Sequence, residues 1–246
     1  MRLVIFGGTT EGREFSHLLA QRVSAEILVC VATEYGREEQ GEAPGVTVLC
    51  GGKTRDEMAE LLKTCDLCVD ATHPYAVEAT ENIRAACELT GTPYRRLLRQ
   101  AGGSADGGLL VDSAEEAASL LAQREGNILL TTGAKELPAF RDLDPERLFP
   151  RILPSHKGLD ACEAVHIPHR NILALQGPFT QEMNEAMIRQ YRIAFVVTKD
   201  GGKAGGFREK VQAAEATGAE MVIIRRPEET GETFEELLKS CEEMLR

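Results

Sequence analysis

The apolar positions of this chain fall into short unbroken runs, and the stretches between them follow a helical period. Residues 3–6 (LVIF), 25–32, 46–49, 67–70 and 94–98 are mostly apolar or β-branched, with Glu26, Asp70, Arg95 and Arg96 as the charged exceptions. Runs of this length predict parallel strands covered on both faces, not the alternation of a half-exposed sheet. Thr54 followed by Glu57 is a capping box that starts one intervening helix. Another helix is expected from about 77 to 88, stopped by Gly91. A glycine-rich stretch at 99–108 (RQAGGSADGG) reads as a linker, and the alternation then restarts. Strands are expected at 109–111, 128–131, 151–153, 172–175, 194–198 and 221–225, with capping boxes at Ser113/Glu116 and Thr233/Glu236. The pattern predicts an α/β protein of two Rossmann-like, doubly wound parallel-sheet halves, 1–101 and 102–246, with a cleft between them.

Composition narrows the partners. The chain has 246 residues, with 28 Lys and Arg against 39 Asp and Glu, a net charge of −11. Such a balance argues against nucleic acid, but it permits an anionic small molecule held by local cations. No apolar run approaches the roughly 18 residues of a membrane span. Gly7, Gly8, Thr9 and Glu11 interrupt the first run, so the opening does not read as a signal peptide, and the chain is expected to be cytoplasmic. The seven cysteines are scattered, as suits free thiols in a reducing compartment. Cys65 and Cys68 form a C-x-x-C at the end of a helix. A redox pair needs the helix N-terminus to lower its pKa, so packing is the expected role.

Five segments after expected strands carry the candidate chemistry. The first is Gly7-Gly8-Thr9-Thr10-Glu11-Gly12, between a strand and a helix. Glycines there let backbone N–H groups approach a phosphate, and the helix dipole favours its charge. The form is G-G-x-x-x-G, not G-x-G-x-x-G, and an ordinary strand-to-helix turn would look similar. The second is a loop at 33–37 (TEYGR). There Thr33 and Arg37 suit a ribose 2′-phosphate, while Glu34 suits the 2′-hydroxyl. The third is 70–76 (DATHPYA), where His73 could bind a ligand or donate a proton and Asp70 could simply cap the turn. The fourth, 131–135 (TTGAK), is expected at a helix start. The fifth, 198–206 (TKDGGKAGG), precedes a helix with Arg208 and Lys210, and suits phosphates or carboxylates. The chain has no Y-x-x-x-K, H-E-x-x-H, G-x-S-x-G or Walker A motif. A protein nucleophile or a metal is therefore not expected.

Taken in order, GGTTEGRE, DATHPYA, TTGAKEL (131–137), LQGPF (175–179), TKDGG followed by Ala213-Ala214, and RRP (225–227) resemble the precorrin-6A and cobalt-precorrin-6A reductases of corrin biosynthesis. The resemblance runs nearly the whole chain, and DATHPYA is its most specific element. One departure stands out: Lys199-Asp200-Gly201-Gly202 occupies the place of a K-x-S-G pattern. The resemblance implies NADPH or NADH as hydride donor to a ring double bond of a tetrapyrrole polycarboxylate, without metal or flavin. Hydride chemistry belongs to the nicotinamide, so the protein needs only position and electrostatics.

On this reading Gly7, Gly8, Thr9, Thr10 and Glu11 bind the cofactor's phosphates, with Thr33, Tyr35 and Arg37 near its adenosine end. Thr72, His73 and Tyr75 lie near the nicotinamide and substrate, and Lys199 near the substrate. His73, Tyr75, Lys199 or solvent supplies the proton. The cations expected to meet substrate carboxylates are Arg95, Arg96, Arg99, Lys135, Arg151, Lys203 and Lys210. The alternatives are a nicotinamide-dependent reductase or epimerase on another small substrate, and a non-catalytic nucleotide-sensing module.

Overall fold

A computed structural model describes residues 1–99, 108–200 and 206–244. Residues 100–107 of the expected linker, and Gly201, Gly202, Lys203, Ala204 and Gly205 of the fifth segment, lie outside the described residues. The chain divides into two compact units.

The first unit holds a five-stranded parallel sheet in the order β3-β2-β1-β4-β5. Its strands are β1 (Arg2–Phe6), β2 (Glu26–Val31), β3 (Val46–Cys50), β4 (Leu67–Asp70) and β5 (Tyr94–Arg96). Helices α1 (Thr10–Ala20), α2 (Glu34–Gln40), α3 (Arg55–Leu62) and α4 (Val77–Thr90) connect them. The apolar runs are continuous because both faces are buried. Leu3 and Ile5 of β1 share one core with Phe15 and Leu19 of α1. Val4 and Phe6 face a second core with Met58, Leu62 and Ile83 of α3 and α4. The Thr54/Glu57 capping box forms in full, and Gly91 ends α4 at φ 70°.

The second unit holds a six-stranded parallel sheet in the order β6-β11-β10-β7-β8-β9. These strands are β6 (Leu109–Val111), β7 (Asn127–Leu130), β8 (Leu148–Ile152), β9 (Leu173–Ala174), β10 (Ile193–Lys199) and β11 (Glu220–Ile224). Helices α5 (Ala114–Ala122), α6 (His156–Ala164), α7 (Gln181–Gln190) and α8 (Phe207–Thr217) accompany them. Ser113 caps α5 by accepting from the Glu116 N–H, but the Glu116 carboxylate accepts from the Asp112 N–H and not from Ser113. The expected box there is therefore only half formed.

The expected boundary at 101/102 needs one correction. Residues 227–244 belong with the first unit. Their segment pairs alongside β5: the Glu232 N–H donates to the Arg96 carbonyl (2.9 Å), and the Leu98 N–H donates to the Glu232 carbonyl (2.8 Å). Gly231 is required at this approach, since a Cβ there would lie 2.6 Å from the Arg96 oxygen. Helix α9 (Phe234–Met244), started by the complete Thr233/Glu236 box, then buries Leu237, Leu238 and Cys241 in the core of β1 and α1. Phe234 meets Phe15 edge-on at 5.6 Å. Each fully buried apolar side chain contributes about 1.5–3 kcal/mol, which fixes the tail on this sheet.

Candidate active site

In a doubly wound sheet the strand order reverses at one point, and ligands bind beyond the carboxyl ends of the two strands there. In the first unit those strands are β1 and β4, which carry the glycine loop and the DATHPYA loop. In the second they are β7 and β10, which carry the 131–135 and 198–206 segments.

The glycine loop has the geometry of an anion cradle. The Gly7 N–H is bound by the Cys30 carbonyl (2.9 Å), and the Gly12 N–H by the Thr9 hydroxyl (3.0 Å). Between them, the N–H groups of Gly8, Thr9, Thr10 and Glu11 meet no acceptor among the described residues. They lie at the N-terminus of α1, where the helix dipole adds its partial positive charge. Gly8 sits at φ 106°, and a Cβ there would meet no protein atom. Gly12 is a packing glycine: its Cβ would lie 3.0 Å from the Cβ of Ala71. The residues present therefore fit a phosphate. Glu11 lies beside Arg99, Oε1 to Nε at 3.0 Å, as an ion pair without hydrogen-bond alignment.

The DATHPYA loop rests on a buried charge network. Asp70 is fully buried. Its Oδ1 accepts from the Thr72 N–H (3.0 Å), the Thr72 hydroxyl (2.7 Å) and Arg96 Nη1 (2.5 Å), and its Oδ2 accepts from the Tyr94 hydroxyl (2.9 Å). Arg96 continues to Glu229 of the returning tail. Burial, then the Asp70 charge, pushes the Tyr94 phenol well up, so it stays a neutral donor. Arg84 covers the Tyr94 ring at 5.3 Å. Asp70 thus caps the turn and also anchors β5 and the tail, a role its sequence neighbours did not reveal. On this base His73 and Tyr75 stack, ring centroids 5.5 Å apart, across a turn closed by the Ala76 N–H and the His73 carbonyl.

The 33–37 segment is not a loop. Thr33 caps α2 through the Gly36 N–H (3.0 Å), so the expected loop is a helix start. Tyr35 is half-buried there, and burial raises its phenol pKa. Arg37 is largely exposed and lies 3.7 Å from an exposed Glu34, a pair of little energetic weight.

In the second unit, the Thr131 hydroxyl and N–H both bind the Val197 carbonyl, tying β7 to β10. The expected helix after 131–135 is a 3-10 helix over Ala134–Phe140, because Pro138 within it lacks an N–H to continue an α-helix. Its Glu136 pairs with Lys199 at the end of β10. Lys135 is exposed, and the buried Thr132 hydroxyl has no partner among the described residues.

The expected substrate cations divide into two groups. Arg95 pairs with Glu232 at 3.0 Å, Arg96 with Asp70 and Glu229, and Arg99 with Glu11. Arg151 and Lys210 are buried, each 9% exposed. The cysteines are free thiols; Cys68 lies on β4, buried, with its thiol pKa pushed well up by that burial. Among the described residues no cluster of His, Cys, Asp or Glu could hold a metal ion, and no helix is long and apolar enough to cross a membrane.

Fold and loops together define a doubled parallel-sheet α/β protein with a nucleotide-type glycine turn. The comparisons agree and go further. The family model described as "Precorrin-6x reductase CbiJ/CobK" matches residues 2–242. The chain is 34% identical over 234 residues to the cobalt-precorrin-6A reductase of Methanothermobacter thermautotrophicus, covering 93% of this chain and 77% of that one. It is 33% identical over 255 residues to the Priestia megaterium cobalt-precorrin-6A reductase, covering 99% of each. A solved structure titled CobK precorrin-6A reductase superposes with a TM-score of 0.75 at 23% identity, over 99% of this chain and 96% of that one, and shares the fold. The chain belongs to the precorrin-6x reductase family. It is thereby an oxidoreductase of cobalamin biosynthesis, of a kind that works with a nicotinamide cofactor.

Proposed function

We propose that this chain transfers a hydride from NADPH to a ring double bond of a precorrin-6A-type tetrapyrrole. The observation that carries the reading is the pairing of two loops at the first sheet's switch point. One offers four N–H groups without acceptors among the described residues, and the other presents the stacked His73 and Tyr75. Relatives named cobalt-precorrin-6A reductase match the chain nearly end to end.

The cofactor, when bound, supplies the hydride. Gly7, Gly8, Thr9, Thr10 and Glu11 hold its phosphates. Thr33, Tyr35 and Arg37, at the end of β2, meet the adenosine end, and the exposed Arg37 can turn from Glu34 to a 2′-phosphate, which favours NADPH over NADH. Thr72 is immobilised by Asp70 and Arg96, so the His73–Tyr75 turn presents a rigid wall to nicotinamide and substrate. Rigid placement of this kind is what hydride transfer requires of the protein. Addition of hydride leaves one ring position to be protonated. His73, Tyr75 and the Lys199–Glu136 pair are the groups of these loops able to donate. Lys135, Lys203 and Lys210 are the cations for the substrate's carboxylates, and Arg95 joins them only by leaving its pair with Glu232.

The test is oxidation of NADPH, and separately of NADH, by purified protein with and without precorrin-6A. Substrate-dependent oxidation, faster with NADPH, is expected. No substrate-dependent oxidation with either nicotinamide overturns the reading.

A further inference from the structure

Glu11 places a carboxylate in the first turn of α1, beside the N–H groups proposed to hold phosphate. A negative charge there works against a diphosphate unless another group cancels it. Arg99 meets it, with Nε 3.0 Å from Glu11 Oε1; the Arg99 side chain is 9% exposed and that of Glu11 26%. The backbone carries the arginine to this place. The Leu97 N–H donates to the Asp70 carbonyl (2.9 Å) and the Leu98 N–H to the Glu232 carbonyl (2.8 Å), so the chain leaves β5 pinned between the DATHPYA loop and the tail. Leu97 is buried in the core that holds Phe15 of α1 and Ala71. The pair itself is unfinished. Glu11 Oε2 and Arg99 Nε are both buried, and neither has a hydrogen-bond partner among the described residues. Arg96, three residues earlier, shows the contrast, since its guanidinium donates to Asp70, Thr72 and Glu229. Buried polar atoms are almost always partnered, so an orphan acceptor and an orphan donor side by side call for a ligand that completes them.

We propose that Arg99 is a positioning residue for the cofactor, and not a cation for the substrate's carboxylates. Its charge cancels that of Glu11, which leaves the N–H groups and the dipole of α1 as the field that a diphosphate meets. Its side chain also holds the Glu11 carboxylate by Oε1, so that Oε2 is left to accept from a ribose hydroxyl of the dinucleotide. Without Arg99, the Glu11 charge stands uncancelled at the cradle, and every dinucleotide that places its diphosphate there is repelled, with or without a 2′-phosphate. The proposal rests on the cofactor half of the functional reading, and it does not depend on which substrate receives the hydride.

The test is a double-mutant cycle read by isothermal titration with NADPH and with NADH, in the absence of tetrapyrrole. Wild type, Arg99→Met, Arg99→Lys, Glu11→Gln and the double variant Glu11→Gln/Arg99→Met are compared at low and high salt, together with their ligand-free thermal midpoints. Arg99→Met is expected to raise the dissociation constants of both nicotinamides by about tenfold, and Arg99→Lys to recover part of that loss. The double variant is expected to bind more tightly than Arg99→Met, although it carries one change more, because the repelling charge has gone. The loss in Arg99→Met shrinks at high salt, as screened repulsion does. If Arg99→Met does not fold, Arg99→Gln carries the same cycle. Dissociation constants within about twofold of wild type in the folded Arg99 variants overturn the proposal, and so does a loss that Glu11→Gln fails to relieve, which is the mark of a merely structural arginine. Wild type that binds neither nicotinamide overturns the cofactor reading and the proposal together. Wild type that binds NADPH but leaves precorrin-6A unreduced overturns the tetrapyrrole reading alone, and the cycle still decides the role of Arg99.

Discussion

The Thr9 hydroxyl donates to the Ala71 carbonyl at 2.9 Å, joining the glycine loop to the DATHPYA loop across the first sheet's switch point. The same oxygen accepts from the Gly12 N–H and so caps α1. One side chain thereby sets the helix start and the distance between the loop proposed to hold phosphate and the loop proposed to face nicotinamide. Thr9→Val keeps the shape and removes both bonds. Loss of the cap costs about 1 kcal/mol, or a fall of about 2–4 °C in thermal midpoint for a protein of this size. NADPH affinity and kcat should fall together, since both loops lose their reference. A variant with normal kinetics would show that the clip is structural only.

Gly8 offers a sharper test of the cradle. Its φ of 106° is strained for any side chain, and a Cβ there projects into space that the protein leaves open beside the four N–H groups. Gly8→Val should fold with a loss of about 1–3 kcal/mol and bind NADPH more than tenfold more weakly, with about 1.4 kcal/mol per tenfold. Isothermal titration of the folded variant measures it. Unchanged affinity would put the phosphate at another loop.

Asp70 ties Thr72, Tyr94 and Arg96 together without exposure to solvent. Asp70→Asn keeps the size and leaves Arg96 short of one counter-charge inside the protein. Breaking a buried pair from one side costs about 3–5 kcal/mol. Denaturant unfolding should show that loss, along with a slower kcat as the His73–Tyr75 turn loosens. A variant within about 1 kcal/mol of wild type would mean that the Glu229–Arg96 pair alone holds the corner.

Lys210 makes ligand-free stability depend on pH. Burial, then repulsion from Arg151, lowers its pKa from 10.5 to about 8, with Glu209 opposing. Between those values the unfolded chain holds a proton that the folded chain has released, so this group makes the protein more stable as pH rises from about 8 towards 10.5. Below about 8 the full penalty of the buried charge is present, of order 3 kcal/mol. Lys210→Met should therefore stabilise the ligand-free protein at neutral pH, by a margin that shrinks as pH approaches 10. Urea unfolding at several pH values measures this. A margin constant with pH would contradict the assignment.

Much of the fold was legible because the strands are buried on both faces. Residues 67–70 and 109–111 are strands residue for residue. β8 begins earlier than expected, at Leu148, because Pro150 sits within an otherwise apolar run. The tail was not legible. The apolar stripe of α9 says that it must be buried, but the choice of sheet rests on Phe15 and the Arg96 backbone, both far away in sequence, which Gly231 lets the tail approach. The loops that gather at the switch points were legible, since each follows a strand with glycines or polar residues out of place in an ordinary connection. Which cations stay available was not. Glu229, Glu232 and Glu11 take up Arg96, Arg95 and Arg99 through contacts that no local pattern announces.

The most direct measurement of the central claim follows the hydride itself. Purified protein is incubated with precorrin-6A and NADPH carrying deuterium at the transferable position of the nicotinamide ring, and the tetrapyrrole product is weighed by mass spectrometry. The account predicts a reduced tetrapyrrole that carries one deuterium from the cofactor, formed only when protein is present. A reduced product without deuterium from either face of the labelled cofactor, or an unreduced tetrapyrrole beside active control enzyme, would contradict it.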